Sequence, residues 1–498
     1  MKMKNFKNGI FILSMMLLTA CSDDFLDVNG STTNPPSSTP ELTLPAAQKY
    51  TADMYYNANN AGNSFNLIGG IHAGIISDSG DRVWYRSEQS YIIINDTYQS
   101  LWNNTYSLPL NSYHFIEKYN GEGYDNYIAI AKIMKAFHFA TLVDMYGDII
   151  YSEAFQRGNN TQPAYDDDKA IYDAIYEELN VAIDMITNAS PDSKTVSTDI
   201  ILGGDMNKWQ KFANTLKLRM LLRQVNTGEN LTSKYNELVN NGVGFIESSV
   251  NVNPGYIDES NKQNPFYALH GFVPGGQSPA VNHGATRGSE FYIDFLNDNN
   301  DPRVAQLFLP VAGEFVGVPQ NTYENAYASN LTSELGPALL NSSSQDAPLM
   351  LLSEALFLQA EAAQRGFIPG NAGDSYKLGI VASFSEMGVP NASTTALNYE
   401  SNSISPIINW DSANGNGKQI EAIITQKWIS GGFITGFEVW MDRVRTNFPS
   451  NIPIPPGAVS NIFPSNLLYP TSELSANSAN VPAQGANAAF DRHTFWMQ

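Results

Sequence analysis

Cysteine is almost absent from this chain. Cys21 is the only one in 498 residues, which excludes an intramolecular disulfide and any multi-cysteine metal site. Charge is scarce too, with Asp, Glu, Lys and Arg making up 15% of the residues, against roughly 25% in soluble domains. The charge present is one-sided: 49 acidic residues face 28 basic ones, a net −21. So acidic a chain repels phosphate backbones and anionic headgroups, which argues against nucleic acid and favours neutral or cationic ligands. The six histidines, at 72, 114, 138, 270, 283 and 493, include no H-x-x-x-H pair, so an H-E-x-x-H zinc site is excluded. No G-x-S-x-G elbow occurs, since Ser278 in GGQSPA lacks the second glycine. Ile420 stands where a G-x-G-x-x-G motif begun at Gly415 needs its third glycine, and Ser412 and Gln419 break a P-loop around Lys418. The expectation is a binding protein, not an enzyme, with no cofactor and no metal site.

Long hydrophobic runs are missing as well. The one apolar stretch suited to targeting, Ile10 to Leu18, follows Lys2, Lys4 and Lys7. It is too short to span a bilayer as a helix of about 20 residues. It ends in Leu18-Thr19-Ala20-Cys21, a lipobox in which Cys21 is acylated and becomes the first mature residue. Residues 1–20 are thus expected to be a lipoprotein signal peptide, and 21–40 the lipidated cysteine with a flexible Pro/Ser/Thr/Asn tether (VNGSTTNPPSSTP). Residues 41–498 form the remaining unit, expected to be a single domain. Ser22-Asp23-Asp24-Phe25 is similar to the acidic signal that sends Bacteroidetes lipoproteins to the cell surface, so the address expected is the outer membrane, lipid-anchored and facing outward.

What the sequence does have is helical periodicity and uncharged polar residues. Tyr127, Ile130, Met134, Phe137 and Thr141 fall on one stripe, stopped by Gly147, and Ile171, Ile175, Leu179, Ile183 and Ile186 on another. Residues 209–224, 349–363, 418–430 and 437–445 read as further helices, and 349–363 is apolar enough on nearly every side to be buried all round. Long turn-rich stretches at 265–288 and 450–480 lie between and after them, and loops of such length are usually functional. The fold class expected is mainly α, with the binding surface on insertions.

Seven ordered blocks then carry a resemblance. IMKAFHFATLVDMYGDIIYSEAF (133–155), PAYDDDKAIYDAIYEELNVAID (163–184), WQKFANTLKLRMLLR (209–223), DFLNDNNDPR (294–303), LLSEALFLQAEAAQRG (351–366), IITQKWISGGFITGFEVWMDRVRT (423–446) and LLYPTSELSAN (467–477) resemble hallmark segments of the SusD/RagB superfamily of surface nutrient-binding lipoproteins. The resemblance implies about eight scaffold helices packed as tetratricopeptide-like pairs with a loop-rich binding portion. It also implies a SusC-like TonB-dependent transporter as partner, on which the protein acts as a lid, and an oligosaccharide as cargo. A peptide cargo is the alternative within the same role.

A glycan platform needs aromatic faces for the C–H side of sugar rings and polar groups for the hydroxyls. The segment that best offers both outside the helical stripes is Asp78 to Tyr98. Trp84 and Tyr85 are adjacent there, so one of them points outward in any local structure, and Asp78, Asp81, Arg82 and Arg86 surround them. Asp78, Asp81, Arg82, Trp84 and Tyr85 are therefore the expected ligand-binding residues, with Tyr256, Phe266, Tyr267 and Trp410 as a second tier. Trp102, Tyr106, Tyr113, Trp209, Trp428 and Trp440 read as core. A glycoside-hydrolase reading would rest on Glu354 and Glu361, seven apart on one helix and thus roughly 10.5 Å apart along its axis, near the range of an acid/base pair. Their position in a scaffold helix favours ion pairs, with arginines such as Arg365, instead.

Overall fold

The computed structural model describes residues 38–56, 63–189 and 193–497. The expected signal peptide, Cys21 and the expected tether up to residue 37 lie outside the described residues. About half of the chain is helical and about 5% is strand, so the fold is mainly α, as the periodicity indicates. No described helix is long and apolar enough to cross a membrane.

The stripes read from sequence become the core. The helix Asp125–Tyr146 ends at Gly147 and packs along Asp168–Asn188, whose first turn is capped by Asp167 accepting from the Ala170 N–H at 2.9 Å. Met206–Arg223 crosses this pair, and Leu352–Gln364 packs on Ala372–Glu386 and on Gln419–Gly431. Gly436–Thr446 crosses Phe65–His72 so closely that a Cβ on Gly436 would lie 2.3 Å from the Asn66 carbonyl oxygen, a crossing that only glycine permits. One expectation needs correction. The helix foreseen over 349–363 starts at Leu352, because Leu349 and Met350 are drawn into a strand.

Four strands form two small antiparallel sheets. β1 (Ile76–Asp78) pairs with β3 (Thr286–Gly288) in the register Ile76↔Gly288, Ser77↔Arg287 and Asp78↔Thr286. β2 (Val250–Val252) pairs with β4 (Ala347–Met350). The first sheet matters for function, because it brings residues about 200 positions apart under the turn that carries Trp84.

The helical body also encloses a charge network. Arg219 meets Glu354 at 2.8 Å and Glu438 at 3.1 Å, while Arg223 meets Asp144 at 3.1 Å and Glu438 at 2.5 Å. Lys427 reaches Asp442 at 2.8 Å, and Glu361 holds Arg445 at 2.6 Å and Arg365 at 2.9 Å. Ions this deep are tolerated only when paired, since desolvation costs several kcal/mol apiece. Glu354 and Glu361 are each 1% exposed and committed to these pairs, so they face no cleft in which a sugar could sit. Trp102, Tyr113, Trp209, Trp428 and Trp440 are buried, as their spacing indicates. Tyr106 is half-buried, its hydroxyl donating to the Ile150 carbonyl at 2.7 Å.

Candidate functional site

The turn after β1 is built on one carboxylate. Asp78 is 1% exposed, and its Oδ2 accepts the backbone N–H groups of Trp84 at 3.1 Å and Tyr85 at 2.7 Å. The Gln89 side-chain amide and the Tyr323 hydroxyl donate to the same oxygen more loosely, each at 3.4 Å. The other oxygen, Oδ1, is buried with no partner among the described residues. Burial pushes the Asp78 carboxyl up to about 7, the two backbone N–H bonds pulling against it and Glu88 adding to it. Asp78 is therefore not the hydroxyl or arginine partner expected from sequence, because its bonds are spent on the backbone of the turn.

Of the two adjacent aromatics, Trp84 points out and Tyr85 points in. Trp84 is 48% exposed and makes no ring–ring contact among the described residues, and Val83 beside it is exposed as well. Tyr85 is 4% exposed, its hydroxyl lying 2.7 Å from Thr286 Oγ1 and accepting from Asn282 Nδ2 at 3.1 Å. The expectation that Tyr85 touches ligand is thus corrected: those partners on β3 and its approach draw it under the turn. Arg82 and Arg86 are both exposed, and neither has a carboxylate within ion-pair distance among the described residues. The Arg86 guanidinium sits 5.5 Å from the centre of the Tyr323 ring.

A third segment, 321–332, completes the surroundings. Asp81 accepts from the N–H of Ser329 at 2.8 Å and from its hydroxyl at 3.0 Å, bonds that hold its carboxyl below its usual range. Gly80 lies so close that a Cβ there would be 2.1 Å from the Glu324 carbonyl oxygen. Beneath, Arg287 is 1% exposed and donates only to neutral acceptors: Thr332 Oγ1 at 3.1 Å and the carbonyls of His283, Thr286 and Ser329 at 3.0, 2.8 and 2.9 Å. One guanidinium thus staples the 283–286 and 329–332 stretches together. Tyr323, Arg287, Asn282 and Thr286 went unseen from sequence. Asn282, Thr286 and Arg287 fall in the turn-rich stretch 265–288, which says nothing of which turn meets which, and Tyr323 carried no signal at all.

The second-tier residues are not gathered at this turn. Phe266 is half-buried and lines a separate cavity of about 480 Å³ with Tyr56, Phe433, Asn251 and Asp346. Tyr256 is 5% exposed, Tyr267 is half-buried, and Trp410 packs on Tyr376, ring centres 5.1 Å apart, in a second core. An acidic constellation, Asp148 with Asp167 and Asp168, brings carboxylates within 4.8 Å of one another. Asp167 caps a helix, Asp148 Oδ1 accepts the Asp168 N–H at 3.0 Å and Asp168 Oδ2 accepts the Phe495 N–H at 2.8 Å, so all three have structural employment.

Chemically, the turn offers an outward indole face flanked by unpaired guanidinium donors, fixed from below by backbone bonds. That suits a flat, hydroxyl-rich ligand held by stacking and hydrogen bonds. Over most of its length the chain is similar to known proteins. The SusD-like family described as "Starch-binding associating with outer membrane" matches residues 37–470. Among solved structures, a chitin-binding protein aligns with a TM-score of 0.68 at 25% identity, covering 89% of this chain and 95% of its own. A chitin-binding SusD homolog from Flavobacterium johnsoniae aligns at 0.72 with 23% identity, covering 91% and 98%. A SusD homolog from Bacteroides uniformis aligns at 0.71 with 25% identity, covering 92% and 99%. No curated protein matches the chain.

Proposed function

Because the chain belongs to the SusD-like family of starch-binding proteins that associate with the outer membrane, we propose that it is a surface carbohydrate-binding protein that captures oligosaccharides on the Trp84 turn. The observation that carries the reading is the exposed indole of Trp84 beside Arg82 and Arg86, with Asp81 occupied by Ser329 and Tyr85 and Asp78 supporting from beneath. In the same reading Cys21 carries the lipid anchor, the tether lets the body move, and a TonB-dependent transporter receives the cargo beneath this protein as a lid. The lipobox, the tether composition and the family support that part. Peptide cargo would need backbone-pairing groups at the site, whereas the turn presents side-chain donors and a ring.

The test is Trp84→Ala, assayed by pull-down on insoluble chitin and on starch and by titration with their soluble oligomers. Loss of one stacking face is expected to cost about 1–3 kcal/mol, by analogy with base–aromatic stacking, or about ten- to hundredfold in Kd. The thermal midpoint should move little, since about half of the side chain is already in water. Undiminished binding by the variant, or no binding of either polysaccharide by the natural chain, would overturn the reading.

A further inference from the structure

Asp78 is the most buried of the charged groups at the turn, and nothing in ligand contact explains its placement. Its Oδ2 collects the N–H groups of Trp84 and Tyr85, two consecutive peptides that set the direction of both rings. Its Oδ1 is enclosed without a partner. The enclosing groups come from every side: Tyr85 and Glu88 from the turn and the short helix Arg86–Gln89, Tyr98 beyond them, Tyr323 with Arg86 on its ring, and Thr286 opposite in the strand pair. Arg287 also lies on that strand but spends its donors on the far loops, and His270, which meets Thr286 at 3.1 Å, is held neutral by burial, down to about 3. No cation is within ion-pair distance of Asp78 among the described residues.

We infer that Asp78 is a positioning residue that fixes the turn bearing Trp84 in its ligand-ready arrangement through two backbone N–H groups, without touching the ligand itself. The inference rests on the glycan-platform reading above. It also makes the turn sensitive to pH. Opening the turn would hydrate Asp78 and return its carboxyl from about 7 toward the ordinary carboxylate range. The closed turn therefore holds the proton more tightly than the open one. By linkage it is firmest below the open-state value, loses firmness as pH rises from there to about 7, and changes no further above that. Neutral Asp78 keeps Oδ2 as a carbonyl acceptor for both N–H groups, which an asparagine reproduces and an alanine does not.

The experiment measures hydrogen exchange at the Trp84 and Tyr85 amides in the natural chain, Asp78→Asn, Asp78→Ala and Glu88→Gln at pH 6 and pH 8, corrected for the intrinsic exchange rate. The natural chain should lose protection from pH 6 to pH 8 by about tenfold. Asp78→Asn should stay protected at both, Asp78→Ala should be unprotected at both, and Glu88→Gln should keep the pH step. Binding to insoluble chitin and starch, measured alongside, should follow protection. Equal protection of the natural chain at both pH values, a step that survives in Asp78→Asn or vanishes in Glu88→Gln, or full protection in Asp78→Ala would each overturn the inference. Failure of the glycan reading is seen separately: Trp84→Ala would then bind as the natural chain does, whatever the exchange data show.

Discussion

Replacing Asp78 by asparagine should change how stability depends on pH, and in a direction opposite to that of a surface carboxylate. The folded chain holds the Asp78 proton up to about pH 7, whereas the ordinary value is 3.8. Between those limits the folded state binds more protons than the unfolded state, so the Asp78 contribution falls as pH rises through that window and is flat on either side. About three pH units at about 1.4 kcal/mol each give about 4 kcal/mol lost between pH 4 and pH 7. Asp144 and Asp168, each pushed up to about 6 by burial, slope the same way. The useful quantity is therefore the difference between the natural chain and Asp78→Asn, in which those slopes cancel. For a chain this long, about 1 kcal/mol moves the midpoint by about 1 °C. Thermal midpoints of both proteins at half-unit steps from pH 4 to pH 8 should thus diverge by about 4 °C, with the natural chain losing ground as pH rises. The amide that replaces Oδ1 brings a constant offset, so only the slope is diagnostic. A flat difference across pH 4–7 would show that Asp78 titrates normally and would remove the basis for a pH-sensitive turn, and a rising one would refute the burial argument outright.

Two predictions concern the scaffold. Arg223→Met leaves Asp144 and Glu438 facing each other without the guanidinium that joins them; urea unfolding should show a loss of about 3–5 kcal/mol, and a loss below about 1 kcal/mol would mean that neighbouring cations take over. Gly436→Ala forces a Cβ within 2.3 Å of the Asn66 carbonyl oxygen, so the same assay should give a loss of about 1–3 kcal/mol, and a neutral result would mean that the two helices separate freely at their crossing.

Helices were legible in the sequence wherever one face had to be apolar over several turns. The stripes at 127–141 and 171–186 lie inside helices at 125–146 and 168–188. Local pattern stopped being informative where partners are distant. Leu349 and Met350 continue the apolar run of the following helix, and only β2, about 100 residues earlier, claims them as strand. Three-residue strands such as β1 and β3 are too short for a period of two to stand out. At the site, adjacency showed that one of Trp84 and Tyr85 points out, but the choice is made by Thr286 and Asn282, some 200 residues on. The pairing of Glu361 with Arg365 could be read as an i,i+4 contact on one helix face. Its stronger partner, Arg445, could not.

The arginines show how the chain divides its scarce positive charge. Arg219, Arg223, Arg303, Arg365 and Arg445 each meet at least one carboxylate. With 49 acidic residues available, a carboxylate beside Arg82 or Arg86 would have been easy to supply, yet among the described residues neither has one. Asp81, next to Arg82 in sequence, is occupied by its two bonds to Ser329. Arg287 beneath them is satisfied by backbone carbonyls and one hydroxyl, so it orders the loops without drawing a carboxylate into the site. The result is a small area where guanidinium donors remain free beside an exposed indole, in a chain that is otherwise strongly acidic. Free donors with no opposing carboxylate cost little in water and are worth most when a ligand brings neutral oxygens at fixed spacing. The same economy fits the burial of Asp78: its Oδ2 pins both peptides of the turn from below, and with its carboxyl pushed up to about 7 by burial it puts little charge beside Arg82 and Arg86.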